Sequence, residues 1–411
     1  MRVLGLISGT SHDGIDAAIV DFTAVDGTPG DGTPGDGIPG TAPAATGVEL
    51  RGTVVAEASI PYSPELRARL IAALPPAQTT LAEVCELDTL IGQAFAEVAA
   101  DIAASVGGVD AVCSHGQTVY HWVDGAHALG TLQIGQPAWI AEKVGAPVVS
   151  DIRIRDITAG GHGAPLVSFL DELLLRSQAG ISAALNLGGI SNMTVVRPDG
   201  LVAYDIGPAN ALVDAVIVEH GLNPLGYDDD ARIARTGRVD EALLAAMLAD
   251  PYYALTPPKS TGKEHFHLGY VHDHLAAQGR EIAVEDVVRT LTELTVQTVA
   301  RDVAAAEIAF LAVSGGGCRN PLLLDGLRAA LPLTRVVLAD ELGAPADSKE
   351  AILLALIGWC TMHGISAIVP GGTGAREPRI LGAITPGAGP LVMPAPVSGI
   401  ASLVLAEAAA S

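Results

Sequence analysis

Ser8-Gly9-Thr10-Ser11-His12-Asp13-Gly14-Ile15-Asp16 stands between two apolar runs, residues 3–7 and 15–20, and carries the residue types that bind phosphate. Asp13-Gly14 is a hairpin-turn signal, so the segment reads as strand, turn, strand. Glycine lets the main chain approach an anion closely, and small hydroxyls add donors to the free N–H groups of the turn. Such a loop can wrap a polyphosphate, with Thr10 serving a phosphate and Asp13 a magnesium-bound water. An ordinary N-terminal hairpin is the plain alternative.

The pattern returns at Leu185-Asn186-Leu187-Gly188-Gly189-Ile190-Ser191-Asn192, again strand, glycine turn, strand. A third strand then stops at Asp205, beside Gly207 and Asn210. Strand-end carboxylates lie where α/β sheets hold their ligands. Asp205 is therefore the best candidate base, with a helix N-cap as its structural alternative. Phosphoryl transfer needs an acceptor oxygen activated and the γ-phosphate charge neutralised. Gly315-Gly316-Gly317-Cys318-Arg319-Asn320, between an apolar strand and a helix, suits the flat face of a nucleotide base or ribose.

Other groups are weaker signals. Asp151, Arg153, Arg155 and Asp156 cluster after an apolar strand, where either arginine can grip a carboxylate or phosphate as a bidentate fork, or join a surface salt-bridge cluster. Gly160-Gly161-His162-Gly163 follows as a loop rich in backbone donors. Ser114 and His115 alternate faces on a strand, which disfavours a hydrolase nucleophile. With Gln117 they read instead as hydrogen-bond partners for a polar ligand such as sugar hydroxyls. Thr261-Gly262-Lys263 is not a P-loop, because Pro257 occupies the required glycine position. His265, His267, His272 and His274 match no familiar metal spacing, and Asp228-Asp229-Asp230 reads as exposed.

These residues need elements to hold them. Helices are expected over residues 64–74 and 81–106, and strands at residues 110–116, 147–151, 183–187, 203–208 and 308–314. Residues 351–369 carry no formal charge and are long enough to test as a membrane span. They include Gly358, Thr361, His363, Gly364 and Ser366 and follow Asp347-Ser348, which looks like a helix N-cap, so a buried core helix is expected. Residues 27–47 form a low-complexity Gly/Pro/Thr/Asp insert that cannot bury apolar surface.

A chain of 411 residues suggests two domains, and 49% hydrophobic residues with only 4% aromatic fits close-packed α/β layers. Forty-six acidic against 23 basic residues give a net charge of −23, which argues against nucleic acid and anionic membrane as partners. An anionic substrate must then be held by local cations and backbone donors. The four cysteines show no CxxC spacing, and the chain opens on a strand with no signal peptide, so the protein reads as cytoplasmic.

Taken in order, these segments, with Gln133-Ile134-Gly135, residues 160–167 and Pro258-Lys259-Ser260-Thr261-Gly262-Lys263, resemble one family, the anhydro-N-acetylmuramic acid kinases. The resemblance spans residues 4–386 apart from the insert. It implies an α/β fold of two ribonuclease-H-like (actin-like ATPase) domains with a central ATP/substrate cleft. The first would be residues 1–178 completed by 371–411, the second 179–370. It implies an ATP- and Mg²⁺-dependent kinase that opens 1,6-anhydro-N-acetylmuramic acid with water and phosphorylates O6, in peptidoglycan recycling, as a homodimer.

By the same resemblance, Gly9, Thr10, Ser11, His12, Asp13, Gly14, Ile15 and Asp16 form the first phosphate loop, with Asp13 toward the metal. Asn186, Gly188 and Gly189 form the second loop, and Gly315, Gly316 and Gly317 face adenosine. Asp205 matches the catalytic aspartate, with Glu350 and Arg155 beside it in the active site. Ser114, His115, Gln117, His162 and Asn210 are the expected sugar contacts. His12 and His162 depart from the family's usual leucine and glutamine.

Overall fold

A computed structural model describes residues 1–9, 12–25, 47–124, 127–197, 200–257, 259–262, 265–345, 348–369 and 372–407. Thr10, Ser11 and the insert up to residue 46 lie outside the described residues. The chain begins with β1 (Arg2–Ser8), β2 (Gly14–Val25) and β3 (Val48–Pro61), an antiparallel run. Next come α1 (Pro64–Ala73) and α2 (Leu81–Ser105). Ser63 and Thr80 start these helices by accepting the N–H groups of Leu66 and Glu83. Then follow β4 (Ala111–Asp124), β5 (His127–Ile134), α3 (Pro137–Val144), β6 (Val148–Ser150), α4 (Ile154–Thr158) and α5 (Val167–Arg176).

β4 and β6 run parallel to β1, giving the strand order β6-β4-β1-β2-β3. β1 is buried along nearly its whole length, as a central strand covered on both faces must be. One face packs Leu4 and Leu6 with Ile91 and Phe95 of α2. β4 does not end at Gly116 as expected. Its chain runs on, and β5 pairs back along it through two register shifts, so the polar Ser114–Gln117 stretch lies within a strand.

The second unit covers Gln178–Glu341. It contains β7 (Ser182–Leu187), β8 (Ile190–Arg197), β9 (Gly200–Pro208), α6 (Asn210–His220), α7 (Glu241–Leu248), α8 (Leu268–Gln278), α9 (Val284–Ala305), β10 (Phe310–Ser314), α10 (Pro321–Ala330) and β11 (Arg335–Leu338). Its sheet runs β11-β10-β7-β8-β9, with β7–β9 antiparallel and β10 and β11 parallel to β7. Position for position this repeats the order and directions of β6-β4-β1-β2-β3. Both units are thus ribonuclease-H-like. Asp228 is buried rather than exposed, because its carboxylate accepts the N–H groups of Ile233 and Ala234.

The chain then returns to the first unit, which comprises Met1–Ser177 and Leu342–Ser411. α11 (Lys349–Met362), β12 (Ala383–Thr385) and β13 (Ile400–Glu407) complete it, β12 pairing with β6 and β13 with β3. The expected boundary at residue 370 therefore lies too late, since residues 342–370 fold with the first unit. The reason is close packing: a Cβ on Gly5 of β1 would lie 1.9 Å from the Ala351 carbonyl oxygen, and one on Gly358 would lie 2.8 Å from Cys113 Cβ. α11 is the expected buried apolar helix, with every residue from Ala351 to Met362 buried. Among the described residues no helix is long and apolar enough to cross a membrane.

This seam between β1 and α11 yields a stability prediction. Gly5→Ala should lower the unfolding free energy by about 2 kcal/mol or more, because backbone on both sides must shift. Gly389→Ala, where an added Cβ meets nothing within 4 Å, is the control. Denaturant titration that found both variants equally stable would refute the close packing.

Candidate active site

The first unit holds the N-terminal turn by a set of buried polar groups. Ser8 Oγ donates to Gln117 Oε1 at 2.7 Å, and Gln117 Nε2 donates to the Gly9 carbonyl at 3.2 Å. His12 adopts a left-handed φ of 54°, its N–H reaching the Gly9 carbonyl at 3.2 Å. Tyr62 N–H donates to the Asp13 carbonyl at 2.9 Å, and Arg67 Nε donates to the His12 carbonyl at 3.0 Å. Asp13 itself is exposed. Among the described residues, the carbonyls of Gly9, His12 and Asp13 are thus each held by a donor.

That geometry reassigns some expected contacts. Gln117 is fully buried and spends both ends of its amide on the turn, so it positions the loop rather than contacting a sugar. The Ile15 side chain belongs to the hydrophobic core, leaving only its backbone to the loop. Asp16 lies between Ile7 of β1 and Ser59 of β3. Ser114 is buried, and its Oγ has no hydrogen-bond partner among the described residues.

His115 and the arginine cluster shape the residue 160–163 loop. Arg153 Nε donates to His115 Nε2 at 2.6 Å, and Arg153 Nη1 donates to the Gly163 carbonyl at 2.6 Å. His115 Nδ1 lies 2.9 Å from the Gly116 carbonyl, which makes it the N–H donor of a neutral ring. Asp156, fully buried, accepts from Gly163 N–H at 2.6 Å and from Thr373 Oγ1 at 2.5 Å. Arg153, one of the two arginines read as a possible anion fork, is thus spent on His115 and the Gly163 carbonyl, and Asp156 on Gly163 and Thr373. Arg155 is exposed, and its guanidinium has no partner among the described residues, so it is available to an anion. His162 is likewise exposed on the loop. Glu350, exposed in the first turn of α11, raises the pKa of Arg153 against the lowering by burial, as Asp156 also does.

In the second unit one register gathers the chemistry. Ser314, Asn186, Asn192 and Asp205 are neighbours across β10, β7, β8 and β9. Adjacent positions on those strands (Val313, Leu185, Met193 and Tyr204) point into the core, so this polar row occupies the opposite face. Asp205 Oδ2 accepts from Ser260 Oγ at 2.9 Å and from Thr261 N–H at 3.0 Å, while Tyr252 OH donates to the Asp205 carbonyl at 2.7 Å. Oδ1 has no hydrogen-bond partner among the described residues. One carboxylate oxygen is tied and the other open. Asn192, Ser260 and Thr261 stood in recognised segments without a role, and only the strand register could have supplied one.

The β7–β8 turn is clamped by the start of α6. Asn210 Nδ2 donates to the carbonyls of Leu187 (3.1 Å) and Gly188 (2.8 Å), and the N–H groups of Ala209 and Ala211 reach the Gly189 carbonyl at 2.9 and 3.0 Å. Asn210 Nδ2 thereby secures the second loop. The triple glycine packs on the same turn: a Cβ on Gly315 (φ 91°) would lie 2.4 Å from Asn186 Oδ1, and one on Gly317 would lie 2.6 Å from Leu187 Cβ. Only Gly316, exposed and with nothing within 4 Å of an added Cβ, presents an open face.

His115 carries a pH consequence. Burial above all, with Arg153 adding to it, pulls its pKa from the ordinary 6.5 down to about 3. Below pH 6.5 the unfolded chain takes up a proton that the folded ring refuses. Stability from this site is thus full above that pH and is lost as pH falls toward 3. His115→Gln should flatten the fall in unfolding free energy between about pH 6 and pH 4. Denaturant curves with the same slope in both proteins would refute the neutral-ring assignment.

The profile of the anhydro-N-acetylmuramic acid kinases matches residues 1–387. A Streptomyces avermitilis protein named anhydro-N-acetylmuramic acid kinase is 50% identical over 398 residues, covering 96% of this chain and 97% of its own. Proteins of the same name from Streptomyces coelicolor and Rhodococcus erythropolis are each 46% identical over 399 residues, covering 96% and 94% of this chain and the same shares of their own. Matched by that profile and half identical to a relative over nearly its whole length, the chain belongs to the anhydro-N-acetylmuramic acid kinase family.

Proposed function

We propose that this protein uses ATP to open 1,6-anhydro-N-acetylmuramic acid and leaves the phosphate on O6, giving N-acetylmuramic acid 6-phosphate and ADP. The observation that carries this reading is the Asp205 carboxylate, with Oδ2 tied to Ser260 and Thr261 and Oδ1 open on the polar face of the sheet. Oδ1 takes a proton from water as the water oxygen bonds to the anomeric carbon. The bond from that carbon to O6 breaks, and its electron pair stays on O6, which attacks the γ-phosphorus as ADP leaves. The first half resembles an inverting glycosidase, with phosphorus in place of a proton as the captor of the leaving oxygen.

The two turns supply the phosphate contacts: Gly9 to Asp16 in the first unit, and Asn186, Gly188 and Gly189 in the second. Arg155, exposed and unpaired among the described residues, answers the developing charge or the substrate's carboxylate. Glu350 and His162 are the remaining candidates for contact with the sugar or phosphate. The donor set suits magnesium, since a single exposed carboxylate, Asp13, is what an ion held mainly by substrate phosphates requires. When bound, the ion would neutralise charge on the transferred phosphoryl group. The reading extends to a cytoplasmic homodimer serving peptidoglycan recycling, which rests on family membership.

Asp205→Asn keeps the shape and removes the base. Transfer of label from ATP to the anhydro sugar should fall by about 10²–10⁴-fold, the usual worth of a general base, while affinity for a nonhydrolysable ATP analogue stays within about twofold. Lost nucleotide affinity with intact folding would instead assign Asp205 to the phosphates.

A further inference from the structure

Within the second unit, a cavity of about 460 Å³ lies between β8, β9, the C-terminal half of α9 and the segment carrying Lys259. Its charged lining is Arg197, Lys259, Arg301 and Asp302. Three cations against one carboxylate leave +2, in a chain whose net charge is −23. The remainder is largely apolar, with Val195, Val202 and Leu255 among it.

Lys259 is the focus. Its side chain is only 3% exposed, and its ion pair with Asp302 Oδ2 is long, at 3.7 Å. The ammonium otherwise rests 4.8 Å above the Tyr252 ring. Burial lowers the pKa of Lys259 and raises that of Asp302, as expected of a pair that does not fully compensate itself. Arg301 is committed to the Tyr253 carbonyl at 3.1 Å through one nitrogen, and Arg197 to the Ala306 carbonyl at 3.3 Å. A buried cation whose ion pair is this long, in a cavity with two further cations, favours an added anion.

We propose that this cavity is a binding site for a small phosphate monoester, whose two negative charges match the lining and whose organic part meets the apolar wall. The site is coupled to Asp205. The Lys259 carbonyl accepts from Asp205 N–H at 2.9 Å, and the next two residues, Ser260 and Thr261, hold the Asp205 carboxylate. Tyr252, beneath the Lys259 ammonium, donates to the Asp205 carbonyl. An anion drawing on Lys259 therefore shifts the frame of Asp205 and lowers turnover. That consequence rests on the reading of Asp205 as the base, whereas the binding itself does not.

Calorimetry with glucose 6-phosphate tests the site, with a saturating nonhydrolysable ATP analogue present to fill the nucleotide site. Binding is expected, with affinity reduced by about tenfold or more in Arg197→Glu and in Arg301→Gln, each shown to be folded by its thermal transition. Glucose should give no heat, and inorganic phosphate should bind more weakly. Absence of binding, unchanged affinity in both variants, or equal affinity for inorganic phosphate would overturn the proposal. In kinetics, glucose 6-phosphate should lower kcat at saturating ATP and sugar, and Arg197→Glu should remove the effect while keeping its basal rate. A binding signal without any kinetic effect would overturn the coupling alone.

Discussion

In the proposed reaction the Asp205 carboxylate takes a proton from water, and holding one of its oxygens fixes where the other points. The hydroxyl of Ser260 and the N–H of Thr261 both hold Oδ2. Most of the second unit serves that arrangement. The register of β7, β8 and β9 places Asn186, Asn192 and Asp205 side by side, and Tyr252 fixes the strand from its carbonyl. A one-residue slip of β9 would turn Asp205 into the core and Tyr204 out of it.

The two glycine turns solve a different problem by one means. Each has its carbonyls bound from behind, by Tyr62, Arg67 and Gln117 in the first unit and by Asn210 and the start of α6 in the second. Tying down carbonyls fixes the orientation of the peptide units that carry them. The glycines of residues 315–317 contribute by letting another strand end approach that second turn within contact distance. Their main service is to packing, and only Gly316 remains for a flat ligand.

Much of this was legible in the sequence because local chemistry dictates it. Residues 64–74 and 81–106 read as helices and hold α1 and α2, and the glycine turns announced both hairpins. What escaped was the identity of partners. Gln117 and Asn210 are amides in polar segments, and an amide that holds a main-chain turn has the same side chain as one that holds a sugar. The return of α11 to the first unit was hidden for a related reason. A uniformly apolar helix has no polar face to say where it packs, and the signal lay instead in Gly5, a residue almost 350 positions away in sequence.

Charge shows how an acidic protein can still handle anions. With 46 acidic and 23 basic residues, long-range attraction cannot gather a phosphorylated ligand, and surface pairs are worth little. Cations must therefore act where water is scarce. Arg153 is held between His115 and the Gly163 carbonyl, two residues before Arg155, whose guanidinium has no partner among the described residues. Lys259 is buried under the segment that positions Asp205. At Lys259 the cation's position is fixed before any ligand arrives, so less ordering cost falls on binding. Placement thus does in this chain what net charge does in a basic one.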